Sequence, residues 1–142
     1  MEQHNKFEER GALAELQRRA REAAEHAYAP YSGFRVGASL LLANSTVVTG
    51  TNVENCSYGL TICAERSAMV RAVSEYGPGV RVLGIAVANL NNTTSPPCGA
   101  CRQVLSEFTT SDAWISFPGS EEEVVLPFAE LFPFQFDLTR SK

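Results

Sequence analysis

The sequence lacks a long hydrophobic run and an excess of positive charge. The longest apolar stretches are short, and Gly37 and Ser39 interrupt the one at residues 36–43. A membrane-spanning helix needs about 20 apolar residues, so we expect no membrane span. Lys and Arg together number 12 against 16 Asp and Glu, which gives a net charge of −4. Proteins that bind a nucleic-acid backbone usually carry a basic surface, so we expect no nucleic-acid partner.

The N-terminal stretch has no apolar segment of the signal-peptide type. Residues 1–10 are polar, and we interpret them as a tail of a protein that stays in the cytoplasm. Cysteine is scarce and occurs at four positions, Cys56, Cys63, Cys98 and Cys101. An even number of cysteines can indicate disulfides in a secreted protein. In a reducing compartment the thiols stay free, which makes metal or redox chemistry the question to resolve.

The composition indicates one ordinary globular domain over residues 1–142. Hydrophobic residues make up 44% and charged residues 20% of the chain, without an internal repeat or a linker. Helical patterns cover residues 11–28, 62–76 with Thr61 as a candidate N-cap, 98–108 and 127–132. Strand patterns cover residues 34–42, 46–53, 80–88, 113–117 and 123–126. A strand–helix–strand crossover makes part of the sheet parallel. We expect an α/β fold, a three-layer α/β/α sandwich with a mixed sheet of about five strands.

Two short cysteine motifs open predicted helices. Cys63-Ala64-Glu65 begins one helix, and Cys98 and Cys101 belong to the sequence PCGAC at the start of the next. Each motif follows a loop that leaves a predicted strand, so both helix N-termini are expected at one edge of the sheet. A helix N-terminus favours the thiolate that a zinc ion requires. Three cysteine ligands leave the fourth tetrahedral position open, as in catalytic zinc sites.

The glutamate beside the first cysteine indicates a proton-transfer role. In the first turn of a helix, Cys63 can bind zinc while Glu65 reaches a water molecule at the metal and accepts its proton. We hypothesise that Arg66 offsets the negative charge of three thiolates. The pattern C-x-E followed by P-C-x-x-C is that of zinc deaminases, in which the glutamate is the general acid and base.

Two other interpretations of the cysteines remain open at this point. Cys98 and Cys101 alone match a redox dithiol at a helix start. Cys56 could complete a closed structural site with four thiolates. Both interpretations leave Glu65 without a role. The two histidines, His4 and His26, lie in the polar tail and in a charged helix, and we assign neither to a site.

Four segments resemble the cytidine deaminases of the small homotetrameric type. They are residues 31–38 (YSGFRVGA), 52–55 (NVEN), 63–68 (CAERSA) and 97–104 (PCGACRQV). The resemblance runs from about residue 27 to residue 136. It implies a hydrolase acting on the C–N bond of a cyclic amidine, which converts cytidine and deoxycytidine to uridine and deoxyuridine in pyrimidine salvage. It also implies a homotetramer in the cytoplasm with one Zn²⁺ per chain.

The same resemblance implies roles for individual residues. Cys63, Cys98 and Cys101 are the zinc ligands, Glu65 is the proton shuttle, and Arg66 lies behind the ligands. Contacts with the substrate are implied for Phe34, Asn52, Glu54, Asn55, Tyr58, Ala64 and, from a neighbouring subunit, Phe136. Asn52 and Glu54 would hold the ribose, mainly its 3′-hydroxyl. Two residues apart on an extended segment, they point to the same side.

Three points stay open from the sequence. The C-terminal segment LFPFQFD departs from the family's usual continuation, so Phe134 competes with Phe136 for the contact with the neighbouring subunit. A deaminase of another aminated pyrimidine or base analogue would use the same zinc site. A deaminase that edits nucleic acid would share the chemistry, but the acidic charge and a pair of residues for a free 3′-hydroxyl argue against it.

Overall fold

The computed structural model describes residues 2–138, and side chains from Gly11 to Leu138. The α-helices are α1 (Glu2–Ala24), α2 (Ala64–Tyr76), α3 (Gly99–Ser106) and α4 (Phe128–Leu131). The strands are β1 (Val36–Leu42), β2 (Val47–Thr51), β3 (Val82–Asn89), β4 (Thr109–Pro118) and β5 (Glu123–Pro127). A 3₁₀ turn covers Tyr58–Leu60. Within the described residues, none of the helices combines the length and the apolar character that crossing a membrane requires.

The five strands form one mixed sheet in the order β2-β1-β3-β4-β5. β3 and β4 are parallel, and every other neighbouring pair is antiparallel. The parallel pair is joined through α3, as the predicted crossover requires. β3 lies in the centre of the sheet and is buried along most of its length, because it is covered on both faces. The prediction of a mixed five-stranded sheet is confirmed.

Different helices cover the two faces of the sheet. At Gly37 in β1, a Cβ atom would lie 1.9 Å from the carbonyl oxygen of Ala20 in α1. At Gly50 in β2, a Cβ atom would lie 2.3 Å from the backbone nitrogen of Ala68 in α2. Gly50 pairs with Ala38, the neighbour of Gly37, so the two glycines face opposite sides. The helices α1 and α2 therefore pack on opposite faces.

The apolar core is divided between these two faces. Met69 of α2, Leu105 of α3 and Phe128 of α4 belong to one buried cluster with the sheet, which places the three helices on the same side. A smaller cluster joins Leu16 and Ala20 of α1 to the opposite side. The result is the three-layer α/β/α sandwich that the sequence predicts.

The first helix begins and ends at different residues from those that the sequence predicts. It begins at Glu2, so it includes most of the stretch interpreted as a polar tail, and it ends at Ala24 rather than near residue 28. The early end has a long-range cause. The backbone nitrogen of Tyr28 donates to the carbonyl of Asn52, and Tyr28 pairs with Val53 as an isolated bridge. This pairing holds the chain extended where the helical pattern would have continued.

The prediction of Thr61 as the N-cap of the second helix is wrong. The backbones of Val53 and Ile62 exchange two hydrogen bonds, of 2.9 and 3.0 Å, which keep residues 61 and 62 extended. The helix starts two residues later, with Cys63 as its N-cap. The Thr61 hydroxyl instead accepts a hydrogen bond from the backbone nitrogen of Asn55. The N-cap is therefore a residue that the sequence predicts to be a metal ligand.

Replacing Gly37 by alanine tests the close approach of α1 to the sheet. The new Cβ would lie within 1.9 Å of helix backbone, which cannot move aside as a side chain can. We expect Gly37→Ala to lower the free energy of unfolding by at least about 2 kcal/mol, measured by urea denaturation. Gly11→Ala is the matched control, because nothing lies within 4 Å of its Cβ and alanine favours a helix by up to about 1 kcal/mol. Equal stability of the two variants would contradict the packing described here.

Candidate metal centre and cleft

Two of the cysteines occupy N-cap positions. Cys63 caps α2 with φ −74° and ψ 157°, and Cys98 caps α3 with φ −69° and ψ 169°. Neither thiol makes a side-chain capping hydrogen bond with its own helix. The sulfur atoms are thus free to point toward each other. Cys101 lies one turn into α3, on the same side as Cys98.

The three thiols converge on one point. Their Sγ atoms all lie within 4.8 Å of one another, with 3.9 Å between Cys63 and Cys98 and 3.5 Å between Cys98 and Cys101. Tetrahedral zinc with bonds of about 2.3 Å requires sulfur atoms about 3.8 Å apart, so the donors fit this metal. Cys56 is exposed and does not belong to the group found among the described residues. Among the described residues, three thiols thus form the group that could hold a metal.

Hydrogen bonds within the thiol group favour the thiolate form of Cys63. The thiol of Cys101 and the guanidinium of Arg66 lower the pKa of Cys63 to about 5, against an opposing effect of burial. Because Cys101 shares its proton with Cys63 and is itself buried, the pKa of Cys101 is raised. The Arg66 Nη2 atom lies 3.5 Å from the Cys63 sulfur. The Arg66 Nε atom is buried and has no hydrogen-bond partner within the described residues.

Glu65 is a buried carboxyl group beside the thiols. It is the second residue of α2 and only 4% exposed. Burial is the main cause that raises its pKa to about 7, and the negative charge of Cys63 adds to the effect. A carboxyl group with a pKa near neutrality can both accept and donate a proton at physiological pH. Cys63, Cys98 and Glu65 line the same cleft, so a group able to transfer protons lies in the same cleft as two of the thiols.

The cleft has a volume of about 290 Å³. It brings four of the predicted substrate-binding residues together with Cys63, Glu65 and Cys98, namely Phe34, Asn52, Glu54 and Ala64. These residues come from the turn before β1, the segment just after β2 and the first turn of α2. The sheet edge thus assembles groups that are distant in the sequence.

Three predicted substrate-binding residues do not line this cleft. Asn55 and Tyr58 line a neighbouring cavity of about 430 Å³, where Tyr58 is 78% exposed and contacts the ring of Tyr31 edge-on. Phe136 is 67% exposed and lies at another cavity, and Gln103 donates a hydrogen bond to its carbonyl. Phe134 is 94% exposed.

Asn52 and Glu54 already have partners within the protein. Asn52 is buried, and its amide accepts from the backbone nitrogen of Val36 at 2.9 Å and donates to the carbonyl of Phe34 at 2.7 Å. The carboxylate of Glu54 accepts hydrogen bonds from Tyr31 and Ser32. The hydrogen bond with Ser32 is the main cause that lowers the pKa of Glu54. Glu54 is therefore ionised at neutral pH.

Five residues of the cleft wall were missed by the sequence analysis: Val36, Thr61, Val87, Ser95 and Pro96. Val36 follows Phe34 by two positions in an extended segment, and this spacing could have identified it. Val87 lines the cleft because it pairs with Ala38 across the sheet. No local pattern in the sequence predicts that register.

Replacing one ligand tests the metal centre. Cys98→Ser removes one of three convergent thiolates, and we expect its zinc content after exhaustive dialysis to fall from about one per chain to less than about 0.2. Cys56→Ser is the matched control, because Cys56 lies outside the group, and it should retain the wild-type zinc content. Zinc retained by Cys98→Ser, or lost by Cys56→Ser, would contradict the assignment.

Comparisons with known proteins all find similarity to cytidine deaminases. The model of the cytidine and deoxycytidylate deaminase zinc-binding region matches residues 12–116. A cytidine deaminase of Halalkalibacterium halodurans is 45% identical over 125 residues, which cover 85% of this chain and 91% of that protein. A cytidine deaminase of Mycobacterium tuberculosis is 48% identical over 103 residues, which cover 72% of this chain and 76% of that protein.

Solved structures extend the likeness to three dimensions. The crystal structure of cytidine deaminase from Mycobacterium tuberculosis matches with a TM-score of 0.78 at 40% identity, covering 89% of this chain and 98% of that chain. The enzyme from Burkholderia pseudomallei matches with a TM-score of 0.77 at 40% identity, covering 87% and 98%. The sequence and the fold match those of cytidine deaminases over most of the chain, and the three thiols fit a zinc ion. The chain belongs to the cytidine and deoxycytidylate deaminase family.

Proposed function

We propose that the protein is a zinc-dependent enzyme that hydrolyses cytidine and deoxycytidine to uridine and deoxyuridine, releasing ammonia. The observation that carries this function is the buried Glu65, which lines one cleft together with Cys63 and Cys98, two of three convergent thiols. The cleft volume of about 290 Å³ is near the lower limit of small-molecule sites, which suits a single nucleoside. The relatives that are 45% and 48% identical to this chain are named cytidine deaminases.

Cys63, Cys98 and Cys101 would hold the zinc. When bound, zinc supplies a Lewis acid that makes water nucleophilic near neutral pH. Glu65 takes a proton from the attacking water and delivers it to ring nitrogen N3 of cytosine. The water oxygen adds to C4, which becomes tetrahedral. Glu65 then takes the remaining proton from the hydroxyl group on C4 and delivers it to the amino group, which leaves as ammonia while C4 becomes the carbonyl carbon of uracil.

The sugar would bind at the other end of the cleft. Glu54 is ionised, and a carboxylate accepts the hydrogen bond of a ribose 3′-hydroxyl. An amide NH₂ group has two N–H donors, and the Asn52 hydrogen bond to Phe34 uses one of them. The second N–H is left for the same hydroxyl. Phe34 and Ala64 would pack against the nucleoside, and Arg66 would offset the charge of the thiolates.

The remaining assignments depend on a neighbouring subunit. Asn55, Tyr58 and Phe136 lie outside the cleft of their own chain, and we assign them to contacts at the cleft entrance in a homotetramer. Support comes from the exposure of Tyr58 and Phe136, large apolar rings that a subunit contact would cover. We place the enzyme in pyrimidine salvage in the cytoplasm and interpret residues 1–142 as one domain.

Glu65→Gln tests the proton-transfer role. The amide keeps the shape of the side chain but cannot accept a proton, so we expect full zinc content and an unchanged circular-dichroism spectrum with a kcat about 10³-fold lower. Turnover is followed as loss of cytosine absorbance on cytidine, deoxycytidine and deoxycytidylate. Glu75→Gln, on the exposed part of the same helix, is the control and should keep full activity. Substantial activity of Glu65→Gln would contradict the mechanism.

The substrates in this assay also test the substrate class. Turnover of the two nucleosides alone supports the proposed function. Turnover of deoxycytidylate alone would overturn it in favour of a nucleotide, and zinc without turnover of any of the three would point to another aminated heterocycle.

Phe136→Ala tests the contribution of the C-terminal segment to a neighbouring site. Loss of a stacking ring weakens binding more than chemistry, so we expect KM for cytidine to rise about tenfold with kcat changed less than about threefold. Phe134→Ala is the matched control from the same exposed segment. If Phe134→Ala raises KM more than Phe136→Ala does, Phe134 is the residue that contacts the neighbouring site. If both variants have wild-type kinetics, the C-terminal segment does not contribute to that site.

A further inference from the structure

One side chain ties the turn before β1 to the carboxylate of Glu54. The Ser32 hydroxyl donates a hydrogen bond to Glu54 Oε2. The backbone nitrogens of Tyr31 and Ser32 donate to Glu54 Oε1 at 2.9 and 3.1 Å. The carboxylate is thus held by three donors, of which the Ser32 hydroxyl is the side-chain donor and the one that a substitution can remove.

The same hydroxyl also reaches the cleft wall. The backbone nitrogen of Phe34 donates to Ser32 Oγ at 2.9 Å. The two residues meet across Gly33, which has a φ of +70° that favours glycine. A hydroxyl has one donor and two acceptor sites, so Ser32 can hold Glu54 and Phe34 at the same time. The positions of the carboxylate and of the aromatic wall are therefore linked through one oxygen atom.

Glu54 lies at the boundary between two cavities, whereas Ser32 lies on one side of it. Glu54 lines both the cleft and the neighbouring cavity. Ser32 lines the neighbouring cavity and is not part of the cleft wall. A nucleoside in the cleft would contact Glu54 and Phe34 but not the Ser32 hydroxyl. Any effect of Ser32 on the substrate is then transmitted through these two residues.

We infer that Ser32 is a positioning residue whose hydroxyl fixes the Glu54 carboxylate and the Phe34 backbone, and thereby sets the enzyme's selectivity for a ribose 3′-hydroxyl. The inference rests on the proposed function, in which Glu54 contacts that hydroxyl. A fixed acceptor discriminates against a substrate without the hydroxyl, because the acceptor is then left unpaired. A carboxylate that can turn away loses this discrimination.

The electrostatics agree with the geometry. The Ser32 hydrogen bond is the largest of the causes that lower the pKa of Glu54, ahead of the two backbone donors, while desolvation acts in the opposite direction. Removing the hydroxyl should therefore raise that pKa toward its ordinary value. This change can be measured without substrate and without turnover.

Ser32→Ala in the zinc-loaded enzyme is the decisive variant. We expect the ratio of kcat/KM for cytidine to kcat/KM for 3′-deoxycytidine to fall about tenfold, since a hydrogen bond to a charged group is lost. KM for cytidine should rise, and kcat should change less than about threefold. Carbon-13 NMR of the Glu54 carboxyl group should show a higher pKa than in the wild type. Ser32→Thr keeps a hydroxyl and should restore most of the ratio.

Two further variants make the result specific. Ser111→Ala removes an exposed hydroxyl at the start of β4, away from both cavities, and should leave the ratio unchanged. Glu54→Gln should lower the ratio at least as much as Ser32→Ala. If Glu54→Gln lowers it and Ser32→Ala does not, the inference about Ser32 is wrong and the proposed sugar contact stands. If Glu54→Gln leaves the ratio unchanged, the proposed sugar contact itself is wrong.

Discussion

The whole site depends on the close approach of two helix N-termini. The sheet brings the N-termini of α2 and α3 so close that thiols from both could bind a single ion. α3 connects the parallel strands β3 and β4, so its first residue lies at the edge where β3 ends. α2 reaches the same edge after β2, packed so closely on the sheet that Gly50 has no room for a Cβ atom. The candidate ligands Cys63 and Cys98 are then neighbours because each is the last residue before its helix.

This arrangement explains how the thiol of Cys63 and the carboxyl group of Glu65 can reach one cleft although they are two residues apart. Within a regular helix, positions i and i+2 lie on nearly opposite faces. Cys63 is an N-cap with extended backbone, so its sulfur departs from the helix end rather than from its side. Glu65, inside the first turn, is directed into the protein and loses most of its solvent contact. The change of backbone conformation at Ala64 brings both groups to one cleft, which a continuous helix would not do.

Much of the fold and of the chemical centre could be predicted from local patterns. The strand–helix–strand order predicted the parallel pair, and the two cysteine motifs predicted the three thiols and Glu65. What the sequence did not predict depends on pairing between segments that are distant in the sequence. Thr61 looked like an N-cap by residue type, but the pairing of Val53 with Ile62 keeps that segment extended. The contacts of Ser32 with Glu54 join residues 22 positions apart and depend on a register that no local pattern records.

The turn that carries Phe34 is held in place by hydrogen bonds from other segments of the chain. Asn52 binds the carbonyl of Phe34 and the nitrogen of Val36. From the loop after β3, Asn91 accepts from the nitrogen of Arg35 at 3.0 Å and donates to the carbonyl of Gly33 at 3.1 Å.

Together with Ser32, these amides satisfy the backbone groups of the turn that have no strand partner, as buried or half-buried polar groups require. Because these hydrogen bonds come from Asn52, directly after β2, and from Asn91 in the loop after β3, the shape of the cleft depends on the register of the sheet. Precise placement of Phe34 therefore follows from the tertiary pairing of three segments rather than from the turn itself.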